Sequence, residues 1–255
     1  MSTAHSPMQE SLDDLSKKWE IPHEIYDLHM GKRDDLTEKI VQVGEVRFHI
    51  PFLEKSQLYV LWKCLWPDCH NCCERPIRLP MTEDDVELMT KKLGYKTKSD
   101  FIKNETNVIT FDDKMNNDML ITHTMLSMKR KKDETKDDDG KKMPCRFLTS
   151  GSCGIHPDKP GVCWMYPFLP WRVPVDKWWK VEYHAKFVFT GDCPGFYLEK
   201  SLDPIMPTLQ DYSKKIYDYL ISCHRAERNN YISTSKIIKY RFLCDVQSAV
   251  GTNKK

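Results

Sequence analysis

Three stretches of the chain carry patterns of hydrophobic and polar residues that predict β-strands. Residues 41–53 alternate imperfectly, whereas residues 181–190 alternate regularly, with one apolar face and one mostly polar face. His184 lies on that polar face, and we expect it to face solvent. Residues 119–128 are rich in β-forming side chains and predict a third strand.

Hydrophobic residues at helical spacing predict helices near both ends of the chain. Leu12, Leu15 and Trp19 share one face of the first helix, which we expect to close at Pro22. The second is a longer amphipathic helix over about residues 207–225.

Two further helices are predicted in the middle of the chain. Thr82 is a suitable N-cap, because its hydroxyl precedes three acidic residues at 83–85 that favour the positive end of a helix dipole. Gly94 suits the C-terminal cap, and a second short helix is predicted from Ser99. The prolines within residues 167–174 instead predict a rigid, irregular segment.

Together these elements predict an α+β protein, with a small antiparallel sheet, flanking helices and an irregular Cys-rich core. Residues 1–40 are predicted to form an N-terminal tail and helical segment, and residues 41–200 a cysteine-rich domain. A mobile charged loop is expected at 129–142 within that domain. Residues 201–255 are predicted to form a C-terminal helical segment packed on it.

Positive and negative charges nearly balance, with 39 basic and 37 acidic residues and a formal net charge of +2. No segment forms a one-signed basic patch, so we do not expect nucleic-acid binding. No window approaches the roughly 20 apolar residues that cross a bilayer, and the polar N-terminus lacks the features of a secretory signal. We expect a soluble, cytoplasmic protein without membrane contact, and leave open an unknown protein partner.

Eight of the ten cysteines fall into three successive groups along the chain. They are Cys64, Cys69, Cys72 and Cys73, then Cys145, Cys153 and Cys163, and finally Cys193. A 255-residue chain buries a core without disulfides, and thiols in a reducing cytoplasm more often bind metal than pair. The alternative is a secreted protein with paired cysteines. Cys223 and Cys244 lie outside this pattern, and we expect Cys223 to be a packed thiol.

The spacing of these cysteines bears on the metal that they would bind. Cys69-x2-Cys72 is the common half of a tetrahedral sulfur site, and Cys64 can supply a third ligand from the same loop. Cys72 and Cys73 are neighbours whose side chains diverge, so we do not expect both to serve one ion equally. The chain lacks a second compact cysteine pair or paired histidines for zinc, whereas iron–sulfur clusters tolerate irregular spacing.

Several motifs in this region resemble those of the CxxCxxCC, or YkgJ-like, cysteine-cluster family. They are Cys69-His70-Asn71-Cys72-Cys73 with Pro76 and the helix start at 79–85, Cys145-Arg146-Phe147-Leu148, Cys153-Gly154-Ile155-His156, and the run from Lys159 to Phe168 that contains Cys163. The resemblance covers about residues 64–196. The chain departs from the family pattern in the x4 spacing after Cys64, in His156 where tyrosine is usual and in Lys159 where arginine is usual.

The resemblance implies a zinc- or iron-chelating domain, for which an iron–sulfur cluster is the usual interpretation. The predicted metal ligands are Cys64, Cys69, Cys72, Cys73, Cys145, Cys153, Cys163 and Cys193. The irregular Cys-rich core is thus predicted to be a metal-binding core, and residues 41–200 a cysteine-cluster metal-binding domain. The predicted cofactor is an iron–sulfur cluster of the [4Fe-4S] type, with zinc as the alternative, and the predicted role is redox or accessory.

Two other functions are open at this point. One is a structural zinc-binding protein, and the other is an S-adenosylmethionine-dependent protein lysine methyltransferase, because a branch of the family is similar to flagellin methylases. The aromatic residues that crowd around Cys163 form either a dry shell for a cluster or ordinary core. We name no catalytic residue, since no nucleophile–base arrangement stands out.

Overall fold

The computed structural model describes residues 6–74, 79–114, 120–130, 144–176, 180–229, 233–234 and 237–238. Two compact units divide the chain: residues 1–72 and 165–217 belong to the first unit, and residues 73–164 and 218–255 to the second. One boundary therefore falls between the adjacent residues Cys72 and Cys73.

Helices and strands are mixed along the chain, which confirms the predicted α+β class. The helices are α1 (Pro7–Ser16), α2 (His23–His29), α3 (Asn71–Glu74), α4 (Glu83–Lys92), α5 (Lys98–Glu105), α6 (Gly161–Met165) and α7 (Met206–Asn229), with a 3-10 turn at Asp203–Ile205. The strands are β1 (Leu36–Val43), β2 (Val46–Leu53), β3 (Leu58–Trp62), β4 (Thr106–Lys114), β5 (Leu120–Met128), β6 (Leu148–Thr149), β7 (Ser152–Cys153), β8 (Phe168–Asp176), β9 (Lys180–Phe187), β10 (Phe196–Glu199), β11 (Ser233–Thr234) and β12 (Ile237–Ile238).

A six-stranded sheet forms the centre of the first unit. Its order is β10-β3-β2-β9-β8, and β1 pairs antiparallel with β2 along its full length. Residues 41–53, predicted as one extended stretch, are the end of β1 and all of β2, and the chain reverses between them at Gly44. Gly44 has a φ of +53°, a conformation that favours glycine.

The sheet is mixed, so the prediction of an antiparallel sheet was wrong at one pairing. Strands β2 and β9 run parallel, with Val46 opposite Tyr183 and His49 opposite Lys186. The other neighbouring strands of this sheet are antiparallel. A parallel partner is brought in by a long crossover connection, which local alternation does not encode.

The proline-containing segment that was predicted to be irregular is the strand β8. Among the described strands it pairs only with β9, so it lies at an edge of the sheet. Pro170 lies opposite Ala185, and Pro174 lies opposite Val181. An edge strand tolerates proline because hydrogen bonds are needed on one of its sides only.

His184 is buried, with 8% of its surface exposed, so the prediction that it faces solvent was wrong. Its Nδ1 atom lies 2.8 Å from Nε2 of His49 on β2. Its ring stacks on that of Trp171 in β8, with ring centroids 5.2 Å apart. Burial lowers the pKa of His184, and the neighbouring His49 lowers it further. Side chains from the adjacent strands therefore cover this face of β9.

Aromatic side chains fill the core of the first unit. The Phe168 ring contacts that of fully buried Phe48 at a centroid separation of 5.6 Å, and that of Tyr212 on α7 at 5.0 Å. Trp62, at the end of β3, packs edge-on against Phe168 and Tyr212, with centroids 5.8 Å apart in both pairs. The last residue of β3 is thus anchored in a rigid aromatic layer.

The second unit contains α4, α5 and the β4–β5 hairpin. Its core consists of Leu79, Met81, Val86, Met89, Phe101, Ile102, Leu126, Met128 and Ile155. Thr82 caps α4 as predicted, and it forms a reciprocal capping box with Asp85. The predicted helix at Ser99 begins one residue earlier, at Lys98, and β5 confirms the predicted strand over its described residues.

At the ends of the chain, α7 confirms the predicted C-terminal helix, and α1 ends at Ser16, before Trp19. Residues 131–143, which hold most of the predicted charged loop, lie outside the described residues, as does Cys244. No helix in the described ranges is both long enough and apolar enough to cross a membrane.

Candidate metal centre

The eight predicted ligands divide equally between the two units. Cys64, Cys69, Cys72 and Cys193 belong to the first unit, and we call them the first cysteine set. Cys73, Cys145, Cys153 and Cys163 belong to the second unit and form the second cysteine set. All eight are described as thiols, not as disulfides.

Strand pairing brings Cys193 close to the other members of the first set. Cys64 follows the end of β3, and Cys193 precedes β10, which pairs antiparallel with β3 so that Phe196 lies opposite Trp62. The pairing continues beyond the strand, because the Lys63 N–H donates to the Gly195 carbonyl oxygen over 3.0 Å.

A side-chain hydrogen bond also ties the two loops of the first set together. The Asn71 Nδ2 atom donates to the carbonyl oxygen of Asp192 over 2.9 Å. Asn71 lies between Cys69 and Cys72, and Asp192 directly precedes Cys193. The loop that carries the C-x2-C pair is therefore held against the segment that carries the fourth thiol.

Gly195 is required by the close approach of these segments. A Cβ atom at this position would overlap the carbonyl oxygen of Lys63 and would also meet the Trp62 indole. Any larger residue must push the segment at Cys193 away from the end of β3. The glycine that follows Cys193 by two residues thus serves the geometry of the site.

Hydrogen-bond donors are directed at the sulfur atoms of the first set. Burial raises the pKa of Cys69, and the N–H of Asn71, which donates to the sulfur, opposes that rise. The nearby Cys72 and Cys64 raise the pKa of Cys69 further. Burial raises the pKa of Cys193 to about 12, against the opposing effect of donors from Gly195 N–H and the Trp62 indole.

These couplings show which thiols of the first set lie near one another. The charges of Cys64 and Cys72 raise the pKa of Cys69, and the charge of Cys69 raises the pKa of Cys193. Burial raises the pKa of Tyr212, and Cys64 and Cys72 contribute to the rise. Cys64 and Cys72 are exposed, whereas Cys69 and Cys193 are partly covered, so the set has an open side.

The second set is organised by a short hairpin. Strands β6 and β7 pair with Leu148 opposite Cys153. The Cys145 N–H donates to the Cys73 carbonyl oxygen over 2.7 Å, and Nη1 of Arg130 donates to the same oxygen over 3.0 Å. Cys163, on α6, packs with Cys153 against the core of the second unit.

Cys145 resembles Cys69 and Cys193 in that burial raises the pKa of its thiol while hydrogen-bond donors to the sulfur lower it. Burial raises the pKa of Cys145, and the N–H of Phe147 and the charge of Arg130 oppose the rise. Cys153 raises the pKa further, so these two thiols lie near each other.

The donor type of both sets suits zinc or iron, since four thiolates are the common ligand set of structural zinc and of iron–sulfur clusters. The positions of these side chains, however, do not form a complete metal site. Within the described part of the chain, no three histidine, cysteine, aspartate or glutamate side chains converge as the ligands of one metal ion. The predicted Cys-rich metal-binding core is therefore supported by its donors but is not shown by the geometry.

Sequence reasoning missed two contributors to this region. The indole N–H of Trp62 donates to Cys193, which is 131 positions away, and the guanidinium of Arg130 acts on Cys145. Neither residue lies in a sequence motif that predicts such a contact. The pairing of β3 with β10 places Trp62 beside Cys193, and the backbone bridge between Arg130 and Cys145 places Arg130 beside Cys145.

The described part of the chain combines an α+β fold with eight free thiols in motifs typical of cysteine-cluster domains. Residues 63–187 match the CxxCxxCC family, which is described as a "putative zinc- or iron-chelating domain". This part of the chain belongs to that family, which confirms the resemblance seen in the sequence motifs. Cys193 lies beyond the matched residues. No curated protein and no solved structure matches the chain.

Proposed function

We propose that this protein binds an iron–sulfur cluster of the [4Fe-4S] type through cysteine thiolates and has a redox or accessory role. The observation that carries the proposal is the indole N–H of Trp62, which donates to the Cys193 sulfur over 3.3 Å. The N–H groups of Asn71 and Gly195 likewise act to lower the pKa of Cys69 and of Cys193. Such donors stabilise a thiolate over a thiol, and hydrogen bonds to the sulfurs help to set the reduction potential of a cluster.

The burial of these thiols supports the same proposal. Because burial raises the pKa of Cys69 and Cys193, both retain their protons at neutral pH without a metal. A bound metal supplies the positive charge that releases those protons. The donors from Asn71, Gly195 and Trp62 then face a negative sulfur, which strengthens them.

The open side of the first set supports a redox or accessory role. Cys64 and Cys72 are exposed, so a protein partner can approach the site from that direction. Aromatic side chains lie beside the set, since the Trp62 indole nitrogen is 3.3 Å from the Cys193 sulfur, and Cys64 and Cys72 both act on the pKa of Tyr212. Because thiol ligands need a reducing compartment, the cytoplasm stays our expectation.

Zinc is the second candidate, favoured by the Cys69-x2-Cys72 pair with its N–H donor from Asn71. Purification without oxygen, followed by a visible spectrum and assays for iron, labile sulfide and zinc, separates the two. A brown protein that contains iron and sulfide supports the cluster. A colourless protein that contains zinc overturns the cluster in favour of zinc, and a protein free of metal overturns both.

The ligand assignment is tested with paired serine variants. Cys69→Ser is expected to lower the metal content, whereas Cys223→Ser is the matched control, because Cys223 is buried on α7 outside both sets. Unchanged metal content in the Cys69 variant would contradict the assignment. Calorimetric titration with S-adenosylmethionine examines the methyltransferase alternative, which saturable binding would support.

A further inference from the structure

We propose that His49 and His184 form a pH-sensitive switch in the central sheet of the first unit, in which uptake of one proton moves the ring proton of His184 from Nδ1 to Nε2. The two residues are 135 positions apart in the chain, on the strands β2 and β9. The parallel pairing of these strands brings their rings together. The switch is independent of the proposed function, because no cysteine takes part in it.

Four side chains on one face of the sheet form a continuous row of carboxylates and ring nitrogens. Nδ1 of His49 lies 2.9 Å from a carboxylate oxygen of Glu38 on β1, and Nε2 of His49 lies 2.8 Å from Nδ1 of His184. At the other end, Nε2 of His184 lies 3.5 Å from a carboxylate oxygen of Glu182, which is on the same strand. The row therefore runs from one carboxylate, through two imidazole rings, to a second carboxylate.

The two rings are covered by an indole and are therefore shielded from water. His184 is only 8% exposed, and its ring stacks on that of Trp171 in β8, with ring centroids 5.2 Å apart. The Trp171 ring also lies 5.0 Å from that of His49. Because a buried polar atom without a partner is costly, each proton on these rings has to be matched by an acceptor.

Two cations also lie on this face of the described strands. Arg47 on β2 forms an ion pair with Glu182 over 2.5 Å, and Lys186 on β9 lies over the Trp171 ring, 5.9 Å from its centroid. The carboxylate at the His184 end of the row is therefore already paired with a guanidinium. A cationic His184 would have to share that carboxylate with Arg47.

The hydrogen bonds specify where the protons lie when both rings are neutral. An ionised carboxylate only accepts, so Nδ1 of His49 carries a proton and donates to Glu38. Nε2 of a neutral His49 is then bare and accepts from Nδ1 of His184. Nε2 of His184 is left without a proton, and it has no hydrogen-bond partner among the described residues. The neutral pair thus leaves a buried nitrogen facing the Glu182 carboxylate.

One added proton satisfies every member of the row. When it binds Nε2 of His49, that nitrogen donates to Nδ1 of His184, which gives up its own proton and carries one on Nε2 instead, facing Glu182. The charges balance, because one proton enters, His49 becomes a cation and His184 changes only its tautomer. The direction of the His184 pKa agrees with this, since burial lowers the pKa and the neighbouring His49 lowers it further.

A second added proton has the opposite effect on the pair. It places an N–H group on both of the nitrogens that face each other, Nε2 of His49 and Nδ1 of His184, so neither can accept. The rings must then separate, and the contact between β2 and β9 loosens at this point. Because the pKa of His184 is lowered in the folded protein, this stabilising contact is complete above the unfolded pKa of about 6.5 and is lost as the pH falls through the lowered value.

The test is a pH titration of the full-length protein labelled with ¹⁵N at histidine, followed by NMR spectra of the ring nitrogens that distinguish both tautomers and the cation. We expect His184 to change from the Nδ1–H to the Nε2–H form as His49 becomes cationic, and to become cationic itself only at lower pH. His49→Gln keeps a side-chain N–H donor but takes up no proton. In this variant we expect the midpoint of the His184 titration to rise, because the charge of His49 no longer opposes it.

His23→Gln is the matched control, since His23 lies at an exposed position of α2, and it is expected to leave the His184 titration unchanged. A His184 ring that keeps its proton on Nδ1 until it becomes cationic would overturn the proposal, and so would an equal His184 midpoint in the wild type and in His49→Gln. If His49→Gln does not fold, the order of tautomers in the wild type decides alone.

Hydrogen exchange measures the separation of the rings. After correction for the intrinsic effect of pH, the amides of β2 and β9 are expected to exchange about 10-fold faster once His184 is cationic, relative to those of β3 and β10. Equal acceleration in both pairs of strands would contradict a switch located at the two histidines.

Discussion

The indole nitrogen of Trp62 lies 3.3 Å from the sulfur of Cys193, although 131 residues separate the two in the sequence. The contact exists because β10 pairs with β3 and the pairing extends to Lys63 and Gly195. Trp62 is also held by the rings of Phe168 and Tyr212, so its N–H has little freedom to turn away. A rigid donor is therefore directed at one of the predicted ligands.

Replacement of Trp62 by phenylalanine removes this donor and keeps an aromatic ring in the layer. We expect metal affinity to fall by about 10- to 100-fold, the range found when a residue that hydrogen-bonds to a metal ligand is lost. Competition with a chromogenic chelator measures the change. Trp171→Phe is the control, since Trp171 packs on His184 and His49 instead. Equal affinity in the two variants would show that the Trp62 donor does not act on a ligand.

Substitution of Gly195 by alanine is expected to displace Cys193, because the new Cβ would overlap the Lys63 carbonyl oxygen. We expect lower metal content together with lower stability. Gly31→Ala separates the two effects, since Gly31 has open space around it and a φ of +65°. That control costs about 1–2 kcal/mol of stability from its backbone conformation alone. If both variants keep full metal content, the close approach at Gly195 has no role in the site.

Removal of the N-cap of α4 tests how much this buried cap contributes to stability. The Thr82 hydroxyl accepts the Asp85 N–H over 3.2 Å, and both residues are buried. Thr82→Ala is expected to lower the free energy of unfolding by about 1–2 kcal/mol. Thr97→Ala, at the exposed cap of α5, is the matched control and should cost less. Urea denaturation measures both, and an equal loss would show that burial of the cap is irrelevant.

The buried side chain of His29 is expected to make the protein less stable at acidic pH. It is 8% exposed, its ring packs on Phe189 and Phe196, and neither ring nitrogen has a hydrogen-bond partner among the described residues. Burial lowers the pKa of His29 to about 4, while Asp192 acts in the opposite direction. The pKa of His29 in the folded protein is therefore below its unfolded value of about 6.5, so the unfolded chain takes up a proton first as the pH falls. The free energy of unfolding is unaffected by His29 above pH 6.5 and decreases as the pH falls towards 4.

The full loss from His29 amounts to about 3 kcal/mol at about 1.4 kcal/mol per pKa unit. His29→Phe removes the titrating group and two unpaired nitrogens, so we expect a flatter pH profile and no loss of stability at pH 7. His23→Gln, at an exposed position, controls for the loss of a histidine. Unfolding curves between pH 7 and 4 make the comparison, and parallel profiles for wild type and His29→Phe would contradict the prediction.

The sequence by itself determined the features that depend on residues close together along the chain. The cap at Thr82, the strand β5 and the amphipathic helix α7 were predicted correctly, because N-caps and hydrophobic periodicity act within a few residues. The order of the cysteine motifs was likewise readable, and the family match over residues 63–187 confirms the resemblance. Which of the cysteines bind metal stays a prediction.

Only the tertiary structure decided which distant segments meet. The parallel pairing of β2 with β9, the burial of His184 beside His49 and the approach of Cys193 to Trp62 all depend on contacts between residues more than a hundred positions apart. Strand alternation specifies which face of a strand is apolar, but it does not specify the partner strand. The same long-range packing divides the eight cysteines into two sets of four, a division that their spacing along the chain does not reveal.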